Sequence, residues 1–83
     1  MTDQELRDNI KNNLISLRIS RNLTQAEIAD LVDVKSPTVA SWEQGRSLPN
    51  LQTLYRLSAY YGVLLEYFYE HGKGEEKEES AKG

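Results

Sequence analysis

Eighty-three residues, 39% of them hydrophobic, leave room for one small domain with a modest core and no second domain. The absence of cysteine excludes a disulfide staple and a thiolate metal site, and no apolar run is long enough for a membrane span or a signal peptide, so a cytoplasmic chain with no membrane partner is expected. Ten basic against thirteen acidic side chains give a net charge of −3, which runs against the strongly basic footprint of many nucleic-acid binders.

Helix signals follow one another from the start of the chain. Thr2 with Glu5 three residues on forms a capping box, and Leu6, Ile10, Leu14 and Leu17 lay an apolar stripe along the first helix. Asn22 suits a left-handed C-terminal cap. Thr24 and Glu27 form a second capping box, after which Ile28, Ala29 and Val32 share one face. Asp33 stands where the chain must turn sharply, and Asp tolerates the left-handed region better than most residues. Val34 returns to the core. Ser36 followed by Pro37 is a new start signal, with the hydroxyl as cap and the ring at the first helical position. Val39 and Trp42 give that helix its buried side, and Gly45 stops it. Ala29 opposite Val39 allows the second and third helices to cross closely. Asn50, after Pro49, caps a fourth helix carrying Leu51, Leu54, Leu57 and Tyr61, which Gly62 ends. The stretch 63–69 reads as a final short helix. From Gly72 the composition turns to Gly, Lys, Glu and Ser, too polar to bury surface, so residues 1–71 are expected to form the domain and 72–83 a flexible acidic tail.

Two short helices hinged at a fixed angle, the second polar at its exposed start, are the build of a helix-turn-helix. The runs L-T-Q-A-E-I-A-D-L-V from Leu23 to Val32, S-P-T-V-A-S-W-E-Q-G from Ser36 to Gly45 and L-P-N-L-Q-T-L from Leu48 to Leu54 resemble the phage repressor and Cro (XRE-like) family of helix-turn-helix DNA-binding proteins. The resemblance spans roughly Leu6 to Tyr69. It implies an all-α, compact five-helix bundle of the lambda-repressor-like type that binds double-stranded DNA, in a bacterial or phage-encoded, nucleoid-associated protein.

A helix in the major groove presents little more than its first turn to base edges. By resemblance the base-facing positions are Ser36, Pro37 and Ser41, with Thr38 close by. Ser and Thr donate or accept toward several bases, and Pro37 offers only apolar contact. None of them grips one base in a bidentate way, so specificity leans on DNA shape, on waters and on Gln44. Ser36 also has a purely structural reading as a cap, and Pro37 as a helix-starting residue. Ser41 has no evident structural task. Phosphate contacts are expected from the helix N-termini at Gln25 and Asn50, from the Gln25 and Gln44 amides, and from Lys35 and Arg46, which flank the third helix. Arg18 and Glu43 occupy positions that form a partly buried ion pair in similar family members. Trp42 is read as core rather than as a base-stacking group.

The tail accounts for only one unit of the negative charge, since Lys73, Lys77 and Lys82 stand against Glu75, Glu76, Glu78 and Glu79. Asp3, Glu5, Glu66 and Glu70 are expected at the ends of the bundle. The chain departs from the family pattern at three places. Asp33 replaces a turn glycine, Pro37 replaces a polar reader, and Leu64 stands where a polar cap usually starts the last helix. Leu64 and Tyr67, as exposed apolar groups, are read as the interface of a homodimer on a two-fold operator. No catalytic residues, cofactor or metal site are expected: His71 is the single histidine, and no paired carboxylates or phosphate-cradling loop occur. The reading is a transcriptional regulator, a repressor by preference. Its rival is an antitoxin or adaptor of the same fold that binds a protein partner through its last helix or tail.

Overall fold

The computed structural model describes residues 1–70. Four α-helices follow in chain order: α1 (Asp3–Ser20), α2 (Gln25–Leu31), α3 (Ser36–Glu43) and α4 (Leu51–Tyr61). A 3-10 segment (Leu65–Tyr69) closes the described chain. The fifth element is therefore a tight 3-10 turn rather than an α-helix. The poorer hydrogen-bond geometry of such a turn keeps it short. Among the described residues there is no strand, and the all-α class stands. The expected tail, 72–83, lies outside the described residues, as does His71.

Helix starts follow the local signals. Thr2 Oγ1 accepts from the Glu5 amide at 3.1 Å while the Glu5 carboxylate accepts from the Thr2 amide, and Thr24 and Glu27 repeat the arrangement at α2. Asn50 Oδ1 accepts from the Thr53 amide at 2.8 Å at α4. The start of α3 differs from expectation. The Thr38 amide is taken by the Lys35 carbonyl at 2.9 Å, which moves the cap back to Lys35 and makes Ser36 the first helical residue. Pro37, with no N–H to satisfy, sits in that first turn. No side chain caps α3.

Helix ends share one device. Asn22 (φ 57°), Asp33 (φ 60°), Gly45 (φ 77°) and Gly62 (φ 72°) all lie in the left-handed region. After each, an amide turns back onto a carbonyl five residues earlier: Leu23 onto Arg18, Val34 onto Ala29, Arg46 onto Ser41, Val63 onto Ser58. These closures satisfy the last carbonyls of each helix and reverse the chain within a few residues. The connections are short because the reversal is built into the helix ends.

The core takes Ile10, Leu14 and Leu17 from α1, Ile28, Ala29 and Val32 from α2, and Val39 and Trp42 from α3. Leu54, Leu57 and Tyr61 of α4 and Phe68 of the 3-10 segment complete it. Leu6 is only half-buried, and Leu51, one of the apolar residues that α4 carries, is 64% exposed. Its position on the first turn faces it away from the side that Leu54, Leu57 and Tyr61 define.

Two asparagines of α1 hold the end of the described chain, and sequence reasoning passed over both. Asn9 Nδ2 donates to the Tyr69 carbonyl at 2.9 Å. Asn13 Nδ2 faces the carbonyls of Tyr67, Phe68 and Glu70 at 3.0, 3.1 and 2.7 Å. A 3-10 turn leaves its last carbonyls without helical partners, and two amides one turn apart on α1 supply them. This clamp seats Phe68, which is fully buried, beneath α1.

Candidate nucleic-acid interface

α2 and α3 pack against each other, and the position of α3 is fixed from below. Val39 and Trp42 are buried on its inner side, with Leu14, Ile28, Leu57 and Tyr61 around the same small void of about 10 Å³. That volume is at the lower limit for a single water, so the helix rests on a filled core. At three- and four-residue steps from one another, Pro37, Ser41 and Gln44 share the opposite side. Pro37 and Gln44 are exposed, while Ser36, Thr38 and Ser41 are half-buried.

Glu43 is the single acid of α3, and its carboxylate is turned inward. Arg18 Nε donates to Oε2 at 2.8 Å and Nη2 to Oε1 at 3.0 Å, a bidentate pair with only 17% and 7% of the two side chains exposed. Arg18 Nη1 also reaches the Leu23 carbonyl at 2.9 Å, so one guanidinium ties α1, the α1–α2 turn and α3 together. The hydrogen bond to Glu43 raises the Arg18 pKa, against the opposing effect of burial. The outward side of α3 is thereby left without a carboxylate of its own. The exposed cations Lys35 and Arg46 stand at its two ends, with exposed Asp33 in the turn before Lys35.

Two residues have partners that sequence reasoning did not assign. Gln25, read as a phosphate donor, gives its Nε2 to Glu43 Oε1 at 3.0 Å and so joins the buried ion pair. Ser41, read as free of structural duty, has its hydroxyl 2.8 Å from that of Ser47, and its carbonyl accepts the Arg46 amide at 3.0 Å. Ser41 therefore fastens the loop that carries Arg46. Asn50 is exposed at the α4 start with its Oδ1 used as the cap. Behind this surface, Arg21 donates to the Tyr61 carbonyl at 2.9 Å and lies over the Tyr61 ring. Burial and the neighbouring Tyr60 push the Tyr61 phenol up to about 12, with Arg21 and Arg18 opposing.

Leu64 and Tyr67 are placed differently from each other. Leu64 is 74% exposed, whereas Tyr67 is half-buried against the core with its ring edge-on to Phe68. Among the described residues no group of His, Asp or Glu is arranged to hold a metal ion, and no helix is long and apolar enough to cross a membrane.

The family profile described as helix-turn-helix matches residues 14–68, from the middle of α1 through Phe68. The chain belongs to the helix-turn-helix family. Over 47 residues, 57% of this chain and 42% of the relative, it is 38% identical to the cryptic phage CTXphi transcriptional repressor RstR of Vibrio cholerae. It is 32% identical over 53 residues to the HTH-type transcriptional activator BcrR of Enterococcus faecalis, covering 64% of this chain and 26% of that one. It is 26% identical over 65 residues, 78% of this chain and 46% of the relative, to multiprotein-bridging factor 1a of Arabidopsis thaliana. The chain thus spans less than half the length of these curated relatives. A transcriptional regulator from Listeria innocua has the same fold, with a TM-score of 0.70 at 22% identity over 88% of this chain and 74% of that one.

Proposed function

We propose that this helix-turn-helix protein is a sequence-specific transcriptional regulator of double-stranded DNA, a repressor that occupies a palindromic operator as a homodimer with α3 in the major groove. The observation that carries the reading is the outward side of α3. It is polar, has no carboxylate of its own because Glu43 is drawn under it by Arg18, and is bracketed by Lys35 and Arg46. Ser36, Pro37, Thr38 and Ser41 are the base-facing candidates, with Gln44 beside them. Lys35, Gln44, Arg46 and the α4 start at Asn50 are the phosphate contacts, and Gln25 joins them through the second hydrogen of its Nε2, the first being given to Glu43. Similarity to a phage repressor supports blocking of a promoter by occupancy. Selection of bound sites from a random duplex pool tests this. A palindrome should emerge whose half-site spacing reports the subunit separation, and an unenriched pool would contradict sequence-specific binding.

A second reading is a protein-interaction module, an antitoxin or adaptor. It is favoured by the net charge of −3, by exposed Leu64, and by similarity to a relative named as a bridging factor. Phosphate contact makes affinity fall with salt, whereas a chain that has lost DNA binding shows no such dependence.

A further inference from the structure

Half-buried Lys11 stands on α1 two helical turns before Arg18, so both cations leave the same side of that helix toward α3. Arg18 meets Glu43 in the last turn of α3. Lys11 meets the residue that ends it: Lys11 Cδ lies 3.4 Å from the place that a Cβ would take at Gly45. The missing glycine side chain leaves the space along which the lysine stem runs. Gly45 sits between Gln44 and Arg46, both exposed and both among the proposed phosphate contacts. The stem of Lys11 therefore reaches the rim of the proposed DNA surface, and its ammonium follows Cδ by a single methylene.

That ammonium already has a partner. Lys11 Nζ is 3.7 Å from Asp8 Oδ1, with 30% and 48% of the two side chains exposed, and the same oxygen accepts from Gln4 Nε2 at 3.1 Å. The neighbouring Glu5 carboxylate accepts from the Thr2 amide in the α1 cap, so Asp8 is the acid paired with Lys11. An exposed pair at this spacing contributes little, and it gives way to a partner of higher charge density. Glu5, Asp8, Lys11 and Asn12 border an open hollow of about 440 Å³ beside α1, which leaves the ammonium room to swing.

We infer that Lys11 is a further phosphate contact, delivered from α1 past Gly45, and that Asp8 is its rival within the chain, a carboxylate that Lys11 exchanges for a backbone phosphate when a duplex docks. The inference rests on the DNA-binding reading and deepens it, adding α1 to a surface otherwise built from α3, its flanking turns and the α4 start. Asp8 acts twice against binding. It holds the ammonium in the free protein, and once Lys11 has turned to the phosphate it remains as a like charge beside it. The exchange reads no base, so its effect is the same on every sequence.

Fluorescence anisotropy of the full chain on a labelled mixed-sequence duplex, titrated over a range of salt, tests both halves. Lys11→Ala should reduce the logarithmic salt slope by about 0.9, so that its loss of affinity is about three-fold greater at 50 mM than at 200 mM salt. Lys11→Arg, which keeps the charge, should keep the slope. Asp8→Ala should tighten binding about three-fold, and that gain should shrink when Lys11 is also Ala, because no ammonium is then left to release. A slope unchanged by Lys11→Ala overturns the contact, and an Asp8→Ala gain of equal size in both backgrounds overturns the exchange, leaving only the long-range field of one acid. Lys35→Ala and Arg46→Ala in the same titration separate the inference from the reading beneath it. If they lower the slope and Lys11→Ala does not, the α1 contact fails and the DNA reading stands; a wild type that binds no duplex at low salt removes both.

Discussion

Replacing Glu43 by Leu should destabilise the protein by about 3 kcal/mol, the lower end of the range for breaking a buried ion pair. The substitution deletes two charge-assisted hydrogen bonds to Arg18 and one bond from Gln25, and leaves the guanidinium with the Leu23 carbonyl alone. Bonds to charged groups contribute about 1.5–3 kcal/mol each, but the Arg18 side chain is 17% exposed and water recovers part of the loss. Arg18→Met should cost a similar amount, since it strands the Glu43 carboxylate with Gln25 as its remaining donor. The double variant should lose only about 1 kcal/mol, because two apolar side chains of similar volume leave neither a buried charge nor an empty site. For a domain of this size, roughly 4–8 °C of melting temperature accompanies each kcal/mol, so each single variant should melt on the order of 15 °C lower. Urea melts of the four proteins give the coupling directly. Losses that simply add would refute the pair as the tie between α1 and α3.

Asn13→Asp sets a carboxylate against the carbonyls of Tyr67, Phe68 and Glu70, and should cost at least about 2 kcal/mol at neutral pH. Its folded pKa is raised, so the deficit in urea melts should shrink as pH falls from that raised value to the usual Asp value of about 4 and be lost below it; a deficit constant with pH would count against the clamp. Tyr61 keeps its proton in the folded state up to about 12, against 10.0 ordinarily. The stability it contributes is intact below pH 10 and is lost as pH rises through about 12, so Tyr61→Phe should lose less stability than wild type across that window. Equal losses in denaturant melts would contradict this. Ser41→Ala should change base preference at one step and also weaken all duplexes, because it frees the Ser47 end of the loop bearing Arg46; a change confined to one base in competition binding would deny the second role.

The parts of the fold legible in the sequence are those decided within one helical turn. Both capping boxes, the Asn50 cap and the four left-handed positions depend on neighbours three to five residues away, and they stand where the residue types place them. The 3.6-residue period likewise fixes which side of α3 turns inward. The Arg18–Glu43 pairing was legible through family resemblance, since 25 residues separate the partners. Asn9 and Asn13 escaped because polar residues beside Ile10 and Leu14 look like interruptions of an apolar stripe. Their partners are carbonyls 54 to 60 residues away, which have no side-chain signature. The Gln25 and Ser41 partners escaped for a related reason, as each depends on where the turn after α3 and the end of α3 come to rest.

The presentation of α3 to a duplex is the claim on which the functional reading stands. Fluorescence anisotropy of a labelled duplex, titrated over a range of salt, measures it most directly. The account predicts binding that weakens linearly on logarithmic axes, with Lys35→Ala and Arg46→Ala each reducing the slope by about 0.9 and weakening all sequences alike. Duplex affinity indifferent to salt, or no binding at low salt, would contradict it.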